Sequence, residues 1–368
     1  MIVDIIAGAR PNFMKIAPII EAIHQAQQQG IAIQYRLIHT GQHYDSKLSD
    51  TFFEQLGIPT PHVNLESGSG TQAQQTGNIM VRFEEDLLKH PCDVVLVVGD
   101  VNSTLACSIV AKKLHVQVVH VEAGIRSRDL TMPEEINRMV TDAITDQFFT
   151  TSEYANENLR KEGISEHRIH FVGNTMIDTL LKNIPKLRKP DFFDEKALTE
   201  KQYLVLTLHR PANVDEPAKL QALLEELIAH TGDYALVFPV HPRTRKALNT
   251  IELSRPEKLV LTEPLGYHEF IWLVKNSFAV VTDSGGVQEE TTVLGVPCVT
   301  LRDNTERFET VSIGTNELIG TNPNAIRPNM EKLFSGNWKN GAVPPLWDGR
   351  TAERIVAKLW ELYGDEKI

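Results

Sequence analysis

The sequence predicts an α/β chain of two doubly wound domains with parallel sheets. Short apolar runs alternate with helical patterns along all 368 residues. Many of those runs lack a polar alternation, as strands covered on both faces by helices do. The length exceeds what one hydrophobic core comfortably fills, so two domains are expected.

The first series of strands reads Ile2–Ala7, Tyr35–His39, Val94–Val98, Val116–Val121 and Gln147–Thr150. The second reads Ile169–Val172, Tyr203–Leu208, Ala235–Val240, Leu259–Thr262, Phe278–Thr282 and Cys298–Leu301. Val, Ile and Phe dominate these runs, and the helical stretches between them imply βαβ units. The divide is expected between a first domain over 1–172 and a second over 173–350. The polar, proline-containing stretch Asn183–Lys201 is either the linker or an early loop of the second domain. The last helix, Thr351–Tyr363, puts Ala352, Ile355, Val356, Leu359 and Leu362 on one apolar face. Segment 351–368 therefore needs a surface to dock on, and the first domain is the expected one.

Hydrophobic residues at 42% and charged residues at 23% describe an ordinary globular chain. A net charge of -11 argues against a nucleic-acid partner, which relies on neutralisation of phosphates by basic residues. It leaves room for a small anionic ligand held by a few local cations. Cys92, Cys107 and Cys298 are far apart and form no metal-ligand spacing, so reduced, buried thiols and no metal are expected. The segment Met1–Ile6 reads as a strand, and no apolar run is long enough to span a bilayer. A cytoplasmic protein without a membrane partner is the expectation.

Polar motifs collect at the carboxyl ends of the strands, where ligands bind in open α/β sheets. Gly8-Ala9-Arg10-Pro11-Asn12-Phe13-Met14-Lys15 follows the first strand, and Pro11 suits an opening helical turn. Arg10 and Lys15 either reach a phosphate or acid, or form a solvated cationic pair. Asp100 and Glu122 follow buried strands, where an unpaired carboxylate is costly. Glu134 follows Pro133 where a helix should begin. Each has a structural reading: Asp100 as a helix cap, Glu122 paired with Arg126 or Arg128, and Glu134 paired at i+4 with Arg138. Together they favour a functional cluster, because closely placed carboxylates separate into a general acid and a general base.

Downstream, Asp283-Ser284-Gly285-Gly286-Val287-Gln288-Glu289-Glu290 joins a strand to a helix. Its glycines admit an anion to the backbone, and the helix start supplies unpaired N–H groups. Ser284 adds a hydroxyl, and Glu289 or Glu290 could accept from ribose. His209-Arg210 and His241-Pro242-Arg243 also follow strands, where histidines contact phosphate or move protons. Carboxylates in one half and a phosphate cradle in the other, at facing sheet edges, suggest an enzyme with a deep cleft and a phosphorylated or nucleotide-linked substrate.

In this combination and order the motifs resemble the non-hydrolysing UDP-N-acetylglucosamine 2-epimerase family. The resemblance runs through Gly8–Lys15, Gly41-Gln42-His43, Val98–Ser103, His120–Arg126, Pro133–Arg138, Val172–Thr175, Leu208–Arg210, Thr282–Glu290 and Leu301–Glu309. It implies a GT-B fold, two Rossmann-like domains with parallel sheets facing across a deep cleft, and a homodimer. It also implies reversible conversion of UDP-GlcNAc to UDP-ManNAc for bacterial surface polysaccharide, without metal, nicotinamide or any other cofactor. The family's route removes the C2 proton as UDP leaves C1, giving 2-acetamidoglucal, and re-adds UDP after protonation from the opposite face. Two faces need two proton-transferring groups, and UDP must stay bound between the steps.

Carried onto matching positions, the resemblance makes Asp100, Glu122, Glu134 and His209 catalytic. It places Arg10, Lys15, Arg210 and His241 at the substrate. Ser284, Gly285 and Gly286 hold the diphosphate, Glu289 the ribose, and Phe270 lies near uracil. Gln42 and His43 match a region where a second substrate molecule activates some members. One departure stands out. Members commonly carry proline where this chain has Phe308, which removes a fixed backbone angle and bears on loop geometry and sugar preference. The alternatives are another UDP-2-acetamido sugar, of FucNAc or diacetamido-uronic type, a GT-B glycosyltransferase, a hydrolysing epimerase, or a nucleotide-sugar sensor.

Overall fold

The computed structural model describes residues 1–41, 56–240 and 242–364, without the side chains of Arg10, Pro242 and Arg243. The chain forms two compact units: Met1–Lys182 together with Pro345–Ile368, and Asn183–Pro344.

The first unit holds a seven-stranded parallel sheet in the order β3-β2-β1-β4-β5-β6-β7. Its strands are β1 (Ile2–Ala7), β2 (Gln34–His39), β3 (Val63–Asn64), β4 (Val94–Val98), β5 (Gln117–Val121), β6 (Gln147–Thr150) and β7 (Ile169–Phe171). Strand β4 is all Val and Leu and is buried throughout, as a strand covered on both faces must be. Its helices include α1 (Arg10–Gln28), α2 (Gln72–Lys89), α3 (Asn102–Lys113), α4 (Pro133–Ile144), α5 (Glu153–Lys161) and α6 (Thr175–Asn183). Helix α2 opens on a reciprocal cap between Thr71 and Gln74, and buries Gln75, Ile79, Phe83 and Leu87, four residues apart. These meet Val95, Val97, Cys107 and Val110 in one core cluster.

The second unit holds a six-stranded parallel sheet in the order β10-β9-β8-β11-β12-β13. The strands are β8 (Tyr203–Thr207), β9 (Ala235–Pro239), β10 (Leu259–Thr262), β11 (Ala279–Thr282), β12 (Cys298–Thr300) and β13 (Asn316–Leu318). Helices α7 (Pro211–Val214), α8 (Pro217–His230), α9 (Pro242–Leu248), α10 (Tyr267–Lys275), α11 (Gly285–Leu294), α12 (Phe308–Ser312) and α13 (Ile326–Phe334) connect or flank them. The expected α/β class with two parallel, Rossmann-like sheets is borne out. Strands β3 and β13 were not expected. At two and three residues they are too short to leave an apolar run.

The first unit extends ten residues past the expected Val172/Gly173 boundary, because α6 is tied into it. Thr179 Oγ1 donates to Met14 O at 2.6 Å. Asp178 accepts from the N–H groups of Thr351 and Ala352, at 3.1 and 2.7 Å. It thereby caps α14 (Thr351–Tyr363), whose own N-cap residue, Arg350, makes no side-chain cap bond. Helix α14 packs against α1. Gly173 has φ +103°, and a Cβ there would lie 2.2 Å from Leu346 O, so only glycine lets the returning chain come this close. Cys92, Cys107 and Cys298 are free thiols, and burial pushes each pKa upward.

Candidate active site

In the first sheet the strand order reverses between β1 and β4, and the polar motifs sit at the carboxyl ends there and next door at β5. Asn12 ties the ends together. Its Oδ1 accepts from the N–H groups of Gly8 and Ala9, at 3.1 and 3.0 Å, and its Nδ2 donates to Val98 O at 3.1 Å. One turn on, Lys15 Nζ lies 2.7 Å from Glu122 Oε2, and both side chains are buried. Gly99, with φ +66°, makes room for this: an added Cβ would lie 2.8 Å from Lys15 Nζ. Glu122 itself has φ +72°, a left-handed conformation that non-glycine residues rarely adopt. Strain of this kind gathers at functional sites.

Neither Arg126 nor Arg128 forms a salt bridge with Glu122. Arg126 pairs with Asp142 and Glu162, each at 2.7 Å. Arg128 donates to Asn158 Oδ1 at 3.0 Å. Asp142 also meets His120 Nδ1 at 2.7 Å, while His120 Nε2 faces Gly99 O at 2.8 Å. Burial would raise the Asp142 pKa, but His120 and Arg126 outweigh it, and the carboxyl falls below its ordinary value. This makes His120 a structural residue behind the Gly99 turn.

Asp100 does not cap α3; the cap position is Val101, with no side-chain bond. Its Oδ2 instead accepts from Arg138 Nη2 and Nε at 2.7 and 3.1 Å. The i+4 partner expected for Arg138 was Glu134, but Glu135 holds it, at i+3 and 2.5 Å. Helical spacing permits both, and only Glu135 faces inward. Glu134 is exposed and has no hydrogen-bond or ion-pair partner among the described residues. Arg10 opens α1, and its side chain lies outside the described features. Gln42, His43 and His241 lie outside the described residues.

In the second sheet the order reverses between β8 and β11. Asp283, directly after β11, is fully buried. It accepts from His209 N, Arg210 N and Asn213 Nδ2, at 3.1, 3.0 and 3.1 Å to Oδ2. His209 Nδ1 lies 2.8 Å from Asp283 Oδ1, with the ring half exposed. Burial pushes the Asp283 pKa up, yet His209, the Arg210 N–H and Asn213 together hold it below the usual value. A buried carboxylate thus orients the exposed imidazole, an arrangement that suits proton transfer or phosphate contact. Arg210 Nε donates to Asp283 O at 3.0 Å, which anchors that side chain beside the pair.

Ser284 is the N-cap of α11 but makes no side-chain cap bond, and Gly285 and Gly286 open the helix. The N–H groups of this turn are available to an anion. Glu289 is buried, and its Oε1 lies 2.8 Å from Arg307 Nε. Burial and neighbouring Glu289 push the Glu290 pKa up to about 8, with the Tyr267 hydroxyl pulling the other way. Phe270 lies on α10, beside α11, half-buried against the core of the second sheet. Phe308 occupies the first position of α12, where proline would also be accommodated, and the short helix forms without it. Among the described residues no group of His, Cys, Asp and Glu could hold a metal ion, and no helix is long and apolar enough to cross a membrane.

The family model described as UDP-N-acetylglucosamine 2-epimerase matches residues 25–360. The chain belongs to the UDP-N-acetylglucosamine 2-epimerase family. A member from Methanocaldococcus jannaschii, the UDP-N-acetylglucosamine 2-epimerase, is 44% identical over 98% of this chain and 99% of its own. The crystal structure of the M. jannaschii UDP-GlcNAc 2-epimerase, in complex with UDP-GlcNAc and UDP, matches with a TM-score of 0.86 at 43% identity. It covers 98% of this chain and 100% of that one. A UDP-2,3-diacetamido-2,3-dideoxy-D-glucuronate 2-epimerase from Pseudomonas aeruginosa is 41% identical over 86% of this chain and 87% of its own. The family thus includes relatives of similar identity that are named for different sugars.

Sequence reasoning quoted Asp283, Glu135 and Arg307 within motifs without giving them roles, and named Arg138 only as a partner for Glu134. Position directly after a buried strand was the available signal for Asp283. Nothing local marked the others.

Proposed function

We propose that this protein interconverts UDP-GlcNAc and UDP-ManNAc by eliminating UDP across C1–C2 and adding it back. The observation that carries this reading is the placement of two carboxylates, Asp100 and Glu122, at adjacent strand ends, each against a buried cation. Lys15 Nζ lies 2.7 Å from Glu122 Oε2 and Arg138 Nη2 lies 2.7 Å from Asp100 Oδ2, and either acid serves to take a proton from C2. Glu134, exposed and without such a cation, is suited to exchange a proton with solvent between turnovers. In the second unit, Ser284 and the N–H groups of Gly285 and Gly286 hold the diphosphate, and His209, oriented by Asp283, stabilises it as it leaves. Arg10, Arg210, Phe270 and His241 are assigned to the substrate, and Gln42 and His43 to a second nucleotide-sugar molecule, on resemblance. Glu289, paired with Arg307, is assigned to the ribose on resemblance.

A homodimer has a surface to use. Ile136, Met139, Val140 and Ala143 form an exposed stripe on α4, with Val81 and Leu88 exposed on α2. Light scattering that finds a monomer at micromolar concentration would remove that assignment.

A second reading keeps the reaction and changes the sugar to a diacetamido uronate, as the name of the P. aeruginosa relative suggests. Proton NMR of the purified protein in D2O, with each UDP-sugar in turn, separates the two. UDP-ManNAc carrying deuterium at C2 supports the first reading. Exchange and epimerisation of the diacetamido uronate alone supports the second. Free ManNAc with UDP would identify a hydrolysing enzyme, and no exchange with either sugar would sink both readings.

A further inference from the structure

Arg138 is among the largest fully buried side chains of the protein. Burying a guanidinium is costly unless good geometry offsets the loss of water. Here the whole group is engaged. Nε and Nη2 converge on Asp100 Oδ2, while Nη1 meets Glu135 Oε2 at 2.5 Å. Glu135 is fixed in turn. Its Oε2 accepts from Ser127 N and Oγ, at 3.0 and 3.1 Å, and its Oε1 from Arg128 N at 2.8 Å. The same helical turn also grips the backbone of Asp100, since Asn137 Nδ2 donates to Asp100 O at 2.9 Å and to Asn102 Oδ1 at 3.1 Å.

The result is asymmetric. Asp100 Oδ2 is doubly bonded to Arg138, whereas Oδ1 receives no hydrogen bond among the described residues, and the side chain is 20% exposed. A carboxylate free to rotate would present either oxygen, whereas this one presents Oδ1. Glu134 precedes Glu135 directly, so one turn of α4 bears one candidate acid and fixes another.

We propose that Arg138, braced by Glu135, is a positioning residue that presents Asp100 Oδ1 to the reacting C2–H. The inference rests on the epimerase reading above and deepens it. Neither Arg138 nor Glu135 touches substrate in this account. Both act through the orientation of Asp100, and misplacing a reacting group by about 1 Å can cost roughly 100-fold in rate.

The test compares wild type with Arg138→Ala, Arg138→Lys and Glu135→Gln, using UDP-GlcNAc turnover, C2 deuterium exchange and circular dichroism. The expected result for Arg138→Ala is a kcat loss of about 100-fold or more with KM changed less than about threefold, since binding is untouched. Millimolar guanidinium should restore at least about tenfold of that loss, because it can refill the fork. Lysine should restore less than guanidinium does, having no fork. Glu135→Gln, which keeps Arg138 but weakens its brace, should lose about tenfold in kcat at unchanged KM.

A folded Arg138→Ala with kcat near wild type, or with a loss that guanidinium leaves untouched, overturns the proposal. If Arg138→Ala does not fold, Glu135→Gln decides: full kcat overturns the proposal, and the selective kcat loss supports it. Wild-type protein that neither epimerises nor exchanges C2 refutes the epimerase reading itself, and this inference with it. Active wild type with unaffected variants refutes the positioning role alone.

Discussion

The two units treat their strand-end carboxylates differently. In the first, Glu122 and Asp100 each face a buried Lys or Arg side chain, Lys15 from α1 and Arg138 from α4. In the second, Asp283 faces a histidine ring, two backbone N–H groups and one amide. Beside it, the start of α11 is left without a side-chain cap. The contrast suggests a division of labour. In the proposed reading, Lys and Arg side chains position the proton-transferring acids, whereas backbone donors and an imidazole hold the anion that comes and goes.

Asp100→Asn tests that division most severely. It should lower kcat about 1000-fold while leaving UDP affinity within about twofold by calorimetry, since proton transfer is lost and phosphate binding is not. UDP affinity that falls in step with kcat would erase the distinction between the units. Next is Lys15→Met. It removes the cation 2.7 Å from the buried Glu122 carboxylate, and denaturant unfolding should show a loss of about 3–5 kcal/mol. Adding Glu122→Gln should recover most of it, and a double variant no more stable than Lys15→Met would show that the two side chains are not coupled.

Glu290 sharpens the comparison from the other side, as a carboxylate with no Lys or Arg bonded to it among the described residues. Its folded-state pKa of about 8 lies above the ordinary value of 4.5. Between those values the folded protein holds a proton that the unfolded chain has released. Stability should therefore fall as pH rises from about 5 to about 8 and level off above. Glu290→Gln should flatten that slope and raise Tm at pH 8 by roughly 3 °C or more. A pH–Tm curve identical to wild type would count against it. The smallest effect is expected from Ser284→Ala, a loss of about fivefold in UDP affinity with kcat nearly unchanged, the scale of one neutral hydrogen bond. Unaltered affinity would leave the anion to the backbone groups alone.

What the sequence made legible follows from locality. Strand β4 is visible as five consecutive Val and Leu residues, and a buried strand followed by an acid marks a sheet's carboxyl end wherever it occurs. Both reversals of strand order, β1/β4 and β8/β11, fall at motifs singled out from sequence. Partner choice was not legible. Arg138 is 38 residues from Asp100, and helical spacing could not tell Glu134 from Glu135 as its brace. Lys15 read as a cation for substrate, and its pairing with Glu122, through a gap that Gly99 leaves open, was not foreseen. Glu289 read as a ribose acceptor, and its additional pairing with Arg307 was not legible, because it needs the loop after β12 to fold back over α11.

The cap that Asp178 places on α14 reaches across more than 170 residues of chain. The first unit is therefore discontinuous, and residues 183–344 lie between its parts. On a ribosome, the second unit emerges whole and can close its sheet while the first still lacks α14. Until Thr351 and Ala352 arrive, α1 lacks its α14 neighbour and Asp178 its two backbone donors. The acids proposed for the active site thus reside in the half of the protein whose folding is completed last.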